Sequence, residues 1–362
     1  MSKNRLKLTN IVNETKEIPK LEVVDKKAGY LNYGLDNYFP NYLLELYYNS
    51  SQMASIISTM VDYVIGDDVI NNTSLEFVNK RGDTFKDFIK RITFDYILFG
   101  GYAFQIIRNG FGEVAELYWM DFKNVRVNED EDMIYYNKDW KKRKTTTKVF
   151  DRYKIGVKNP NSVYYYKGEL TRNQYPMPMY YSALTSIEVS TQIANYNLHN
   201  ITNNFTPSAI INVFSDGGLS EDVQAEMEQL VIDKFGGTSN AGNILISFND
   251  NPDNKTTIDR LADDGLQDKF NILADSVKSD IYSAFRINEV LVGLNKSTGF
   301  SKTEFSEAFT LYNKTVISPM QKAIINSLEK VFGVGTIEIK PFTIDWGEEK
   351  TGEIPANDNV IS

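Results

Sequence analysis

Apolar positions along the chain change their spacing several times, and each change predicts a different element. Met53, Ile56, Ile57, Met60, Val61 and Val64 recur at helical intervals, with Ser51 before them and Gly66 after, which predicts a capped amphipathic helix. The segment before it, Leu31 to Pro40, is rich in turn residues. A second helix is predicted from Asp83, carrying Phe85, Phe88, Ile89, Ile92 and Tyr96 and stopping at Gly100-Gly101. The period then shortens to two. Tyr102 to Arg108 and Glu113 to Trp119 flank Asn109-Gly110, a dipeptide that tolerates positive φ and predicts a tight hairpin. Asn124 to Val127, Met133 to Tyr136, Lys148 to Tyr153 and Val163 to Tyr166 predict further strands. Residues 1–30 read as a charged arm, and 31–180 as an α+β module, helices first and a largely antiparallel sheet after.

Beyond Tyr175-Pro-Met-Pro178 the helical spacing returns and persists. Leu184, Ile187, Thr191, Ala194, Leu198, Ile201 and Phe205 form a coiled-coil-like seam, shallow at Thr191 and Ala194. This helix, placed within 181–206 and ended by Pro207, is about 36 Å long at about 1.5 Å per residue. A β-α-β unit is predicted over 207–261. Its strands contain Ile210 and Val213, then Ile244 and Ile246, and Ser220 caps the helix between them with Glu221 and Asp222 in the first turn. Another long helix within 262–290 carries Leu266, Phe270, Leu273, Val277 and Ile281. The chain thus leaves along one long helix, builds a small domain and returns along another. A loop over 291–302 leads into a third long helix within 303–346, where Ser301 and Glu304 fit a capping box. That helix carries Phe305, Phe309, Tyr312, Val316, Ile324 and Leu328, with a kink expected near Pro319. A final strand from Ile337 to Trp346 precedes a polar tail, 347–362, expected to be disordered.

At 362 residues the chain can bury a large core and divide into two or more modules. Its 42% apolar and 24% charged content is that of a folded chain rather than a disordered one. The 22 tyrosines and 21 phenylalanines predict extensive packed contacts, including contacts between subunits. A net charge of −9 opposes tight wrapping of nucleic acid but permits brief contact with it. The absence of cysteine removes disulfides and thiolate metal sites. The N-terminus has no hydrophobic signal core, and no run approaches the roughly 18 apolar residues of a membrane span, so no membrane partner is expected.

Candidate chemistry is sparse. His199 is the single histidine, which leaves no material for a Ser-His-Asp triad or a histidine metal centre; it reads as a polar helix-face residue. The glycine-rich stretch 236–242 and the segment Gly293-Leu-Asn-Lys-Ser-Thr both lack the spacing of a phosphate-binding loop. Glu129-Asp130-Glu131-Asp132 has the oxygen ligands a hard cation takes, but its position between two strand signals reads as a solvated turn. Asp263-Asp264 suit the positive end of a helix dipole. Lys141-Lys-Arg-Lys144, beside Trp140, reads as a solvated hairpin tip, with contact to nucleic acid or an acidic partner as the alternative. No catalytic residue, cofactor or metal ligand is assigned. A metal-dependent carboxylate nuclease stays as a competing reading, because distant carboxylates can converge in space.

Three stretches, in this order, resemble the portal (head-to-tail connector) proteins of tailed bacteriophages. Tyr33-Gly-Leu-Asp-Asn-Tyr-Phe-Pro40 looks like a Tyr-Gly-x-Asp-Asn-x-x-Pro stretch of that family. Tyr180-Tyr-Ser-Ala-Leu, the long helix after it and Asn204-Phe-Thr-Pro-Ser-Ala-Ile are similar to its stem-to-clip passage. Ile281 to Gly293, then Gly299-Phe-Ser and the helix through Ser318-Pro319, are similar to its stem, tunnel loop and following helix. Two features depart from the family: Arg286-Ile-Asn-Glu-Val290 stands where a Pro-Pro pair is common, and the short C-terminal region leaves no room for a large crown.

The resemblance implies a portal-like α+β fold with an outer wing at 31–180, stem helices at 181–206 and 262–290, and a clip at 207–261. It further implies a tunnel loop at 291–302, and a wing or crown helix with a final strand at 303–346. The stem residues would be Leu184, Ile187, Leu198, Ile201, Leu266, Phe270, Leu273 and Val277, and the clip residues Ile210, Val213, Ile244 and Ile246. Leu294, Asn295, Lys296, Ser297, Thr298 and Lys302 would face DNA, with Lys296 and Lys302 offering limited phosphate contact. The implied role is structural: a ring of about twelve copies at one capsid vertex, passing double-stranded DNA during packaging and ejection. Implied partners are the terminase large subunit, a head-tail connector or adaptor, and major capsid or scaffold protein. The implied location is the virion, after assembly in the host cytoplasm. Another head or adaptor protein of the virion is the second alternative.

Overall fold

Local capping and spacing set the elements seen in a computed structural model of the chain. It describes residues 22–23, 29–34, 36–142, 145–168, 173–203, 209–214, 220–235, 244–249, 266–293 and 301–344. At 22–23, 199–203, 209–211, 221, 228, 231–235, 244–247, 249 and 266–270 the backbone alone is described. The order begins β1 (Glu22–Val23), β2 (Asn32–Tyr33), α1 (Phe39–Asn49), α2 (Ser51–Ile65), β3 (Asp68–Asn71) and α3 (Phe85–Phe99). Six strands follow: β4 (Tyr102–Arg108), β5 (Val114–Met120), β6 (Val125–Val127), β7 (Met133–Tyr136), β8 (Lys148–Arg152) and β9 (Asn161–Tyr166). Then come α4 (Leu184–Asn203), β10 (Ala209–Phe214), α5 (Glu221–Phe235), β11 (Ile244–Asn249) and α6 (Leu266–Ala284). The chain closes with α7 (Lys302–Tyr312), α8 (Ser318–Phe332) and β12 (Ile337–Lys340). Two compact units result: Met1–Ser182 with Tyr282–Ser362, and Ala183–Ile281.

In the first unit, β4 to β9 form one sheet in the order β5-β4-β9-β8-β7-β6, antiparallel except for the parallel β8–β9 pair. Central β4 is buried on both faces, through Tyr102, Phe104 and Ile106 on one and Ala103 on the other. α3 lies against β4, and Phe88 meets Phe104 edge-on at 5.4 Å. Thr84 starts α3 with a capping box, its hydroxyl accepting from Asp87 N while the Asp87 carboxylate accepts from Thr84 N. Gly100 ends it in the left-handed region, where a Cβ would stand 2.5 Å from the Met177 carbonyl oxygen.

Several expectations are corrected here. The turn-rich reading of 31–40 misses α1: Pro40 sits in the first turn of a helix, where its missing N–H costs nothing, and is no breaker. Ser50, not Ser51, caps α2, accepting from Met53 N at 3.3 Å. α3 starts at Phe85 rather than Asp83. Asn109-Gly110 is not a two-residue turn. The loop runs from Asn109 to Glu113, Gly112 takes the positive φ of 79°, and the register shifts beside Arg108. β3 carries no visible alternation in sequence, yet it pairs antiparallel with β12, which stops at Lys340 instead of reaching Trp346. The kink foreseen near Pro319 takes the form of a π turn at Asn313–Ile317, just before α8. Proline cannot donate to a carbonyl one turn back, and the widened turn absorbs that loss.

In the second unit, β10 and β11 pair in parallel, Ile210 opposite Leu245 and Ile211 opposite Ile246, with α5 as the crossover between them. Ser186 Oγ donates to Asp280 Oδ2 at 3.2 Å, so the first turns of α4 meet the last turns of α6.

Candidate assembly surface

Along the long helices of the second unit, described residues pass from buried to exposed. On α4, Leu184 and Ile187 are fully buried. Farther along, Ala194, Asn195, Tyr196, Asn197 and Leu198 are all exposed, a run longer than one helical turn. α6 mirrors this: Val277 and Ile281 are buried, whereas Ile272 is 69% and Leu273 42% exposed. The seam expected from sequence is thus covered at Leu184, Ile187 and Val277 but exposed at Leu198 and Leu273. The side chains of Ile201, Leu266 and Phe270 lie outside the described residues. On α5, Val223, Met227 and Leu230 share one exposed face. Val213 of β10 is half-buried, and the side chains of Ile210, Ile244 and Ile246 lie outside the described residues.

Helices of this length are marginal in water unless an apolar face is covered. The exposed aliphatic side chains of Ile272 and Leu273 on α6, with the exposed run on α4, therefore form a surface suited to other chains. Each such aliphatic side chain contributes about 1–2 kcal/mol when an interface removes it from water.

In the first unit, the predicted DNA-facing positions Leu294, Asn295, Lys296, Ser297 and Thr298 lie outside the described residues. Gly293 closes a short 3-10 turn at a φ of 83°, and Ser301 caps α7, accepting from Glu304 N, with Lys302 exposed next to it. Tyr63 Oη donates to the Leu291 carbonyl at 2.7 Å, and its ring packs edge-on against Phe309 and Phe342. Burial, then the charge of Asp62, pushes the Tyr63 hydroxyl up to about 12, so it remains a neutral donor. This aromatic cluster ties the turn at Glu289–Val292 to α7.

The remaining sequence candidates have structural work. Asn37 Oδ1 accepts from Tyr33 N at 2.8 Å and also from Arg126 Nε. The fully buried Arg126 donates to the carbonyls of Asn37, Lys123 and Val125 and lies over the Tyr33 and Trp140 rings. The Tyr33–Pro40 stretch is therefore a core fastener, with Tyr33 stacked on Tyr175 at 4.0 Å. In the acidic run, Glu131 pairs with Lys167 and Arg152. Although burial opposes it, those two cations hold the carboxyl below its usual range. Among the described residues no three acidic or histidine side chains are placed to hold a metal ion. Lys141 lies 4.0 Å from the Tyr38 ring centre and Lys142 pairs with Asp139; Arg143 and Lys144 lie outside the described residues, as does the His199 side chain. No helix among the described residues is long and apolar enough to cross a membrane.

The phage portal protein family matches residues 50–344 of the chain. The chain belongs to this family. Its role is structural, that of a portal protein of a phage particle. Among solved structures, the virion of a native gene transfer agent particle contains a chain that is 16% identical, with a TM-score of 0.56. The match covers 83% of this portal protein and 83% of that chain. The neck of the native gene transfer agent particle, computed with C12 symmetry, gives 16% identity and a TM-score of 0.55, covering 83% and 84%. More distant is an HK97 family phage portal protein from Corynebacterium diphtheriae, at 12% identity and a TM-score of 0.44, covering 80% and 90%. No curated protein matches the chain. The family match and the two gene transfer agent structures establish an α+β portal fold.

Proposed function

We propose that the chain closes with identical copies into a ring at one capsid vertex, and that double-stranded DNA passes through the central hole during packaging and ejection. The observation that carries this reading is the membership of the portal family, together with exposed Ile272 and Leu273 on α6 and the exposed run Ala194–Leu198 on α4. The C12 symmetry of the similar gene transfer agent neck supports a ring of about twelve copies. In this reading α4 and α6 are stem helices, β10, α5 and β11 the clip, the sheet and its helices the wing, and 291–302 the tunnel loop. The exposed face of α5 suits a docking partner at the clip: the terminase large subunit during packaging and a head-tail connector later. Capsid or scaffold protein would surround the wing, and the ring would assemble in the host cytoplasm before entering the virion. The role needs no catalytic chemistry. A channel should hold its cargo weakly, which fits a net charge of −9 and leaves Lys296 and Lys302 as limited phosphate contacts.

Electron microscopy of the purified full chain tests the proposal. Symmetric rings with an axial hole are expected, alone or beside capsid protein. A chain that stays monomeric at micromolar concentration and never forms rings with capsid protein would overturn it.

A further inference from the structure

Beyond β12 the side chains alternate, as those of an extended chain do. Phe342 is half-buried, its ring edge-on to Tyr63 at 4.9 Å and beside Phe309 at 5.7 Å. Thr343 turns the other way: its N–H and its hydroxyl both donate to the Asp67 carboxylate. Ile344 returns to the side of Phe342, and the two share a cleft of about 430 Å³. Thr59 and Tyr63 of α2, Leu291 and Phe305 of α7 complete its walls, and all of these residues belong to the first unit.

These walls are set before anything enters. Tyr63 Oη donates to the Leu291 carbonyl at 2.7 Å, and Asn288 Oδ1 accepts from Val290 N at 3.0 Å, which fixes the turn that carries Leu291. Filling such a preformed apolar cleft costs little further ordering. Asp62 supplies the one charge among the lining residues. An indole needs apolar cover for its rings and an acceptor for its N–H, and the cleft offers both, in Leu291 with Phe305 and in the Asp62 carboxylate. The described residues end at Ile344, in the wall itself, and Trp346 is the only aromatic residue of the sequence after Phe342.

We infer that Trp346 of the same chain fills this cleft, so that the start of the C-terminal segment is fastened against α7 and the turn at Glu289–Val292. Two residues span at most about 7 Å, so the side chain two positions past Ile344 is within reach of the walls. The alternation that turns Phe342 and Ile344 inward and Thr343 outward puts position 346 on the inward side. A side chain tethered this closely meets the cleft at a far higher effective concentration than one from another molecule, which selects the chain's own tryptophan over a partner. The inference needs only one copy of the chain and is independent of the ring proposed above.

Fluorine NMR of the full chain carrying fluorinated tryptophan tests the placement. The 3 tryptophans give one resonance each, and Trp346→Phe identifies that of Trp346. In the native chain it is expected away from its position in urea, and unchanged between concentrated protein and protein too dilute for copies to associate. Thr59→Lys brings a charge into the cleft from a half-buried position on α2. It should return the Trp346 resonance to its unfolded position and leave those of Trp119 and Trp140 in place. Trp346→Ala should lower the unfolding temperature of the native chain but not that of Thr59→Lys. A Trp346 resonance at its unfolded position in the native chain would overturn the inference, whatever becomes of the variants. Displacement seen only where copies associate would overturn it as well, and give the cleft to a neighbouring copy. Equal losses from Trp346→Ala in the two backgrounds would place the indole elsewhere.

Discussion

Asp95 shows what one side chain states about its surroundings. Its carboxyl is buried beneath α3 and β5, receives two donors on one oxygen, and has its proton affinity raised first by burial and then by Asp121. A carboxyl with a raised pKa in the folded state binds its proton more tightly there than in the unfolded chain. Its contribution to stability is complete below the unfolded pKa and disappears as pH rises through the folded one. Urea unfolding at about pH 4, 6 and 8 should show the native protein losing stability relative to Asp95→Asn as pH rises, with the variant more stable at about pH 8. Parallel curves for the two proteins would contradict a neutral Asp95. Arg126 poses the opposite problem. Burial lowers its pKa, and it is kept charged by three carbonyls, Asn37 Oδ1 and two aromatic rings rather than by a carboxylate. Nothing in the spacing of the sequence marks Asp95 or Arg126 as buried, because each depends on partners brought in from other elements.

The elements differ in how much their own residues specify them. α2, α3, α4, α5, α6 and α8 follow from helical spacing, and Thr84, Ser301, Gly100 and Gly293 act where local chemistry places them. α1 escapes that reading because Tyr42, Leu43, Leu44, Leu46, Tyr47 and Tyr48 give it apolar residues on nearly every face, and Pro40 reads as a stop. β3 escapes for another reason: a short strand pairs with a partner some 270 residues away, and only β12 makes it a strand. Gly66 joins these facts. It leaves α2 at a φ of 65°, and a Cβ there would fall 1.9 Å from the Lys340 carbonyl oxygen. Gly66→Ala should therefore destabilise the protein by at least about 2 kcal/mol, while Gly82→Ala, also at positive φ but with open space around it, should cost only about 1 kcal/mol. Thermal unfolding of the two variants distinguishes a backbone collision from conformational preference alone; equal losses would remove the β12 contact from the explanation.

At the scale of the whole molecule, exposed apolar side chains on α4 and α6 carry the case for assembly. Leu198→Glu with Ile272→Glu places two charges where the isolated chain is already open to water, so monomer stability should change by less than about 0.5 kcal/mol. Inside a ring the same charges would be desolvated without partners, and mass photometry should find monomers where the native chain forms rings. Rings that survive both substitutions would show that these helices do not face other copies.

The helices from α2 onward, the strands β4 to β9, the cysteine-free and histidine-poor chemistry and the resemblance to portal proteins were set by the sequence, since period, capping and composition are local properties. Tertiary structure alone decided that Pro40 opens a helix, that β3 meets β12, that the Tyr33–Pro40 motif fastens a buried arginine, and that Leu184, Ile187, Val277 and Ile281 are buried while Ile272 and Leu273 are exposed. Each of these turns on contacts between residues far apart in the chain, which the spacing of neighbours does not encode.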